Sequence, residues 1–184
     1  MTTTKEIAGI IRKQFKEKFG LTNKDVSVKK RHYSSVDVSL KSPRAIPHMK
    51  EIRSLCKGHE TIHYCQMTQE ILCGGNTFVF VQYDRDLHDH LEKRIFEEIN
   101  KQMKPEFGQL ENQDGQNSIT VFDNFQVFKI EDSGKNYYSI RDKSEPYASV
   151  GRCYSTLTDL SYHMVHFVLE SDSIGQVYET YLKN

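Results

Sequence analysis

The chain has no tryptophan, only four cysteines and four prolines, and no apolar run long enough to span a bilayer. Each shortage narrows the possibilities. Cys56, Cys65, Cys73 and Cys153 are too few and too unevenly spaced for the disulfide framework of a small secreted domain. The opening residues MTTTKEIAG lack the apolar segment of a secretory signal, so a reducing cytoplasm is the expected setting. No glycine-rich phosphate loop, nucleophile elbow or helical zinc-protease motif occurs, and Gly74-Gly75 reads as a turn. Without tryptophan, ten Tyr and ten Phe must supply the bulky packing. What remains is 184 residues, 37% apolar and 27% charged, which suits one ordinary domain or two small ones.

Net charge is also missing, but only in the sum. Residues 1–60 carry fourteen Lys and Arg against six Asp and Glu; residues 61–184 carry eleven against nineteen. Such asymmetry bears on partners and association rather than on fold. A basic region can meet nucleic acid, and an acidic one can meet a protein surface built to hold nucleic acid.

The richest stretch is Val26–Leu40, VSVKKRHYSSVDVSL. Val26 and Val28, then Val36, Val38 and Leu40, alternate with polar residues, which predicts a half-buried β-hairpin. Lys29, Lys30, Arg31, His32 and Tyr33 are expected in its turn. Ahead of it, Ile7, Ile10, Ile11, Phe15 and Phe19 share a helical stripe, predicting a helix over Thr4–Phe19 with Thr3 or Thr4 as cap and Gly20 ending it. Ser42–Pro47 interrupts the strand pattern, and Pro47 suits the first turn of a helix carrying Met49, Ile52, Leu55 and Cys56 inward and ending before Gly58. Thr61–Cys73 is one or two strands or an irregular segment. TFVFVQY, residues 77–83, reads as a strand. Leu91, Ile95, Ile99 and Met103 mark a helix from Leu87 that Pro105 and Gly108 should end, with Glu111–Asn117 an exposed loop. Consecutive strands follow over Ile119–Ile140, turning at Asp132–Lys135. A helix over Thr156–Glu170 and a short terminal one around Ile174–Leu182 complete an α+β chain, with helices on a mostly antiparallel sheet. A basic module over residues 1–85 and an acidic half over 86–184, packed on the first, are the expected divisions.

The order helix (IAGIIRKQFKEKFG), hairpin, proline-containing break, helix, then FVFVQY, together with Ser27-Val28-Lys29 and Tyr33-Ser34-Ser35, resembles the large polyvalent protein-associated domain type 29. The likeness covers roughly residues 4–85. It implies a small α+β module of phage and conjugative-element proteins and supplies no catalytic residues to carry over. The chain departs from that family's usual multi-domain setting by standing with an acidic second half. By analogy, small free-standing mobile-element proteins include counter-defence factors such as anti-CRISPR proteins.

Other constellations have competing readings. Cys56, His59, His63 and Cys65 are a complete zinc set in number, yet lie within ten residues and clamp no second segment; Cys56 also falls on an apolar stripe as a buried thiol would. Asp84, Asp86, His88 and His90 would share one face of an extended strand and could hold a nuclease metal. Alternatively they mark a strand-to-helix junction, with Asp86 capping a helix from Leu87 and Asp89 near the positive end of its dipole. His163 and His166 read as packed or boundary histidines rather than ligands. No metal or cofactor is assigned.

The expectation is a non-enzymatic, cytoplasmic mobile-element protein that inhibits a CRISPR effector nuclease or another nucleic-acid-handling host complex by occlusion, without a membrane. Lys29, Lys30, Arg31, Tyr33, Lys41 and Arg44 are the expected nucleic-acid contacts, and Asp89, Glu92, Glu97 and Glu98 the expected partner contacts. The alternatives are a sequence-nonspecific DNA- or RNA-binding accessory protein and, from the enzymes, a metal-dependent nuclease.

Overall fold

A computed structural model of the chain describes residues 3–72, 75–110, 118–143, 154 and 156–183. The fold is α+β. It divides into two compact units, Met1–Asp89 and His90–Asn184.

The first unit opens with α1, Thr4–Phe19, whose boundaries follow from its ends. Thr3 forms a capping box with Glu6: the Glu6 N–H donates to Thr3 Oγ1 at 3.3 Å, and the Thr3 N–H donates to Glu6 Oε2 at 2.7 Å. Gly20 closes the helix at φ 64°, a left-handed conformation that glycine adopts without steric penalty. Ile7, Ile11 and Phe15 of α1 are buried.

The hairpin of β1 (Val26–His32) and β2 (Ser35–Leu40) follows. Val26 pairs with Leu40 and Val28 with Val38, so the alternating apolar residues lie on one face and are buried. The turn is shorter than expected. Lys29 to His32 belong to β1 itself, with an irregularity between Lys30 and His32, and only Tyr33 and Ser34 connect the strands. Charged residues interrupt the hydrophobic alternation, yet pairing continues past them to His32 and Ser35, with Arg31 alone left out of the register.

A 3-10 helix, Pro43–His48, contains Pro47, so α2 begins later than the proline suggested, at Met49, and runs to Lys57. This segment carries the chain across to β3, Phe78–Tyr83, which lies parallel to β2. The sheet order is β1-β2-β3. Residues 61–72 contribute only isolated bridges, Thr61 to Thr77 and Tyr64 to Ile71. Helix α3, Arg85–Leu110, starts two residues before Leu87 and continues through Pro105 and Gly108. Proline and glycine are boundary signals of tendency; each weakens a helix without forbidding it. The expected loop at Glu111–Asn117 lies outside the described residues.

In the second unit, Leu91, Ile95, Ile99 and Met103 of α3 are buried at helical spacing. An antiparallel sheet, β4 (Ser118–Val121), β5 (Phe125–Asp132) and β6 (Lys135–Asp142), supplies Ile119, Val121, Phe125, Val127 and Ile140 to the core. Ser133 (φ 52°) and Gly134 (φ 74°) make the two-residue turn of β5 and β6, where positive φ matches the strand twist. Phe122 is also left-handed, at φ 51°, a costly conformation for a bulky residue. It is buried, with its ring 5.2 Å from Tyr181 and 6.4 Å from Phe125, and that packing holds it there. Helix α4, Leu157–Glu170, is capped by the Thr156 side chain; α5, Ile174–Val177, runs into a π-helical turn, Tyr178–Leu182. Among the described residues no helix is long and apolar enough to cross a membrane.

Candidate nucleic-acid interface

Strand period two decides what the first sheet shows to each side. The inward face of β1 and β2 is aliphatic as far as Val28 and Val36, with exposed Lys30 paired to Val36 at its end. On the outward face, Lys29 pairs across to Asp37, and Asp37 pairs on its other side with Phe80 of β3. The next row is Ser27, Ser39 and Gln82, and Lys41 follows just beyond β2.

Lys29, Lys30, Arg31 and Lys41 line, with Asp37 and Asp84, a groove of about 450 Å³. A neighbouring hollow of about 410 Å³ shares Lys29 and Lys41 and adds Arg12. Arg12 was not singled out in the sequence, where it reads as one more cation on the polar side of α1. Its Nε donates to the Val28 carbonyl at 3.1 Å, so it covers part of the open edge of β1 and brings its charge beside Lys29.

The groove is not uniformly positive. Arg31 Nε lies 3.6 Å from Asp37 Oδ2, while Asp37 Oδ1 is buried with no hydrogen-bond partner among the described residues. Tyr33 stands at the hairpin tip, 96% exposed, with Lys30 Nζ 4.9 Å from its ring centre. Arg44 does not join this group. It sits in the 3-10 helix, 3.8 Å from Asp25. The Thr22 N–H holds that carboxyl below its ordinary range, aided by the Thr22 hydroxyl and by Arg44.

Sequence reading also missed Phe78 and Phe80. They lie two apart on β3 and so share the outward face, their rings 6.3 Å apart and 14° from parallel. Phe80 is 49% exposed. In TFVFVQY nearly every residue is apolar, so neither face stands out until the register with Asp37 is known.

The acidic candidates are arranged differently. Asp89 lies 3.9 Å from Arg85 and 3.7 Å from His88. Glu98 is held by Lys101 at 3.3 Å and by the Gln102 amide at 3.0 Å. At about 100° per residue, Glu98 falls about half a turn round α3 from Asp89, with Glu92 and exposed Glu97 on flanks between them. Four carboxylates so spread do not make one acidic face.

The zinc set disperses. Cys56 is buried in α2, its thiol pushed up to about 12 by desolvation, and His59 Nε2 lies 2.8 Å from the Gln14 side chain. Cys65 differs: hydrogen bonds from the Thr68 hydroxyl and the Thr68 and Met67 N–H groups lower its pKa. Among the described residues, ligand atoms of these four do not converge. The extended Asp84–His90 face is overturned. Helix α3 begins at Arg85, and the His88 N–H donates to the Asp84 carbonyl at 2.9 Å, so the alternation ends at Asp84. Asp86 lies in the first turn rather than at the cap. His163 stacks on Tyr154 at 4.7 Å, and His166 meets Tyr162 edge-on at 5.5 Å.

No family model matches the chain, and neither the curated proteins nor the solved structures contain a match.

Proposed function

We propose that the chain binds nucleic acid through the basic groove of its first unit, without reading base sequence. What carries this reading is the gathering of Lys29, Lys30, Arg31 and Lys41 along one groove, with Arg12 in the adjoining hollow. Lysine and arginine fix a phosphate backbone in register but carry no sequence information by themselves. The likeness to the polyvalent-protein module supports a phage or conjugative-element setting, in which such a protein would serve transfer or protection of element DNA or RNA.

The test is a mobility-shift series on the isolated protein over increasing salt. Affinity should fall with salt at a log-log slope of roughly −0.7 per single-strand phosphate contact, or −0.9 on duplex. Lys29→Glu combined with Lys41→Glu should flatten that slope by about 1.4 on single strands and weaken binding more than about tenfold. An unchanged shift would remove the groove from the interface.

A second reading, inhibition of a CRISPR effector nuclease, is favoured by the charge of the second unit, where ten Lys and Arg face fifteen Asp and Glu in residues 90–184. Fields of opposite sign speed encounter with a positively charged nucleic-acid channel. Binding seen only when the effector nuclease is present would favour inhibition over the accessory role.

A further inference from the structure

We propose that the outward face of the first sheet is a stacking platform for unpaired bases, which makes single-stranded nucleic acid the ligand of the groove. This rests on the nucleic-acid reading above and goes beyond it, because cations alone do not distinguish a single strand from a duplex.

Three observations carry it. Phe80 stands 49% exposed on a sheet face, where burial would be the ordinary fate of a phenyl ring. Phe78 lies beside it, within 14° of parallel, so bases resting on the two rings would lie nearly parallel to each other, as neighbouring bases in a strand do. The register then sets Lys29 in the same row as Phe80, two strands away through Asp37, a separation of about 10 Å at the usual strand spacing. Phe78, Phe80 and Lys29 thus face the same side, with aromatics along β3 and positive charge on β1. A single strand offers that pair of features, a row of π-faces beside a row of phosphates. A duplex does not, since its bases are already stacked and paired. Charge complementarity also separates this ligand from an apolar peptide, which would leave Lys29 and Lys41 of the groove unmatched.

The absence of tryptophan makes the test direct, because Phe80→Trp introduces the sole indole of the chain. Its fluorescence should be quenched when a single-stranded oligothymidylate is added and left unchanged by a duplex of equal length. Phe80→Ala should lose at least about fivefold in single-strand affinity while keeping its duplex affinity, since one base-aromatic stack is worth about 1 kcal/mol or more. The half-exposed position means that neither variant opens the core.

Unquenched fluorescence together with full single-strand affinity in Phe80→Ala would overturn the platform. If Lys29→Glu with Lys41→Glu still weakened binding in that case, the groove would stand and only the platform would fall. An unsubstituted protein that bound duplex but no single strand would likewise overturn the platform and leave the groove, and one that bound neither would remove both.

Discussion

Both units set a three-stranded sheet among helices, and both place a phenylalanine on a sheet's outer face, yet they treat it in opposite ways. In the second unit the Arg141 guanidinium lies 5.6 Å from the Phe128 ring, a cation that satisfies and shields the aromatic. In the first, Phe80 is left half exposed, and Lys29 and Arg31 line a groove instead of covering it. The same pair of residue types serves closure in one place and display in the other. Charge follows the division: residues 1–89 hold fifteen Lys and Arg against ten Asp and Glu, and residues 90–184 hold the reverse.

If each unit owns its core, damage to one core should leave the other sheet intact, and this is the largest effect expected. Phe15 is 2% exposed, so Phe15→Ala should destabilise the first unit by about 3–5 kcal/mol. Amide hydrogen exchange should show lost protection across α1 and β1–β3 with β4–β6 still protected. Protection lost equally in both sheets would mean that the units do not stand apart.

A smaller effect distinguishes the units by pH. Burial pushes the Cys56 thiol up to about 12 from 9.0, and Tyr83 up to about 12 from 10.0, both in the first unit. A folded pKa above the unfolded one means that unfolding is favoured once the unfolded group ionises. That stability is fully present below about pH 9 and is lost as pH rises toward 12. In the second unit Tyr181 also rises to about 12, chiefly through its hydrogen bond to Asp123, an exposed contact that solvent screens. Thermal melts between neutral pH and pH 11 should therefore show the first unit failing first. Cys56→Ser would add a buried hydroxyl, so Cys56→Ala is the cleaner control, and it should reduce the alkaline loss.

The smallest effect sharpens the display side. Asp37→Asn removes a carboxylate from the groove and frees Arg31 from its 3.6 Å partner. Nucleic-acid affinity should rise up to about fivefold, the scale of one partly exposed ion pair. A weakened complex would instead make Asp37 a contact in its own right.

Much of the architecture was legible because local signals agreed. Thr3 and Gly20 bracket the α1 stripe, and Val26, Val28, Val36, Val38 and Leu40 alternate cleanly. The extent of β1 was not legible, since a run of cations hides the alternation while the backbone resumes pairing beyond the irregularity at Arg31. Helix α3 outran Pro105 because a proline's penalty is finite and neighbouring turns can absorb it. For the site, the cations could be read and the aromatics could not. Lys29 announces itself as a charge, whereas Phe78 and Phe80 acquire meaning only from the Asp37 to Phe80 pairing, a contact between residues far apart in sequence. Arg44 shows the converse: a cation close to the others along the chain is engaged with Asp25.

Amide-resolved NMR of the unsubstituted protein, titrated with a short single-stranded oligonucleotide, reads the central claim most directly. Shift changes should concentrate on residues 27–31, 39–41 and 78–82 and fade as salt is raised, leaving β4–β6 and α4 undisturbed. Changes centred on the second sheet, or a spectrum unmoved at low salt, would contradict a nucleic-acid-binding face on the first.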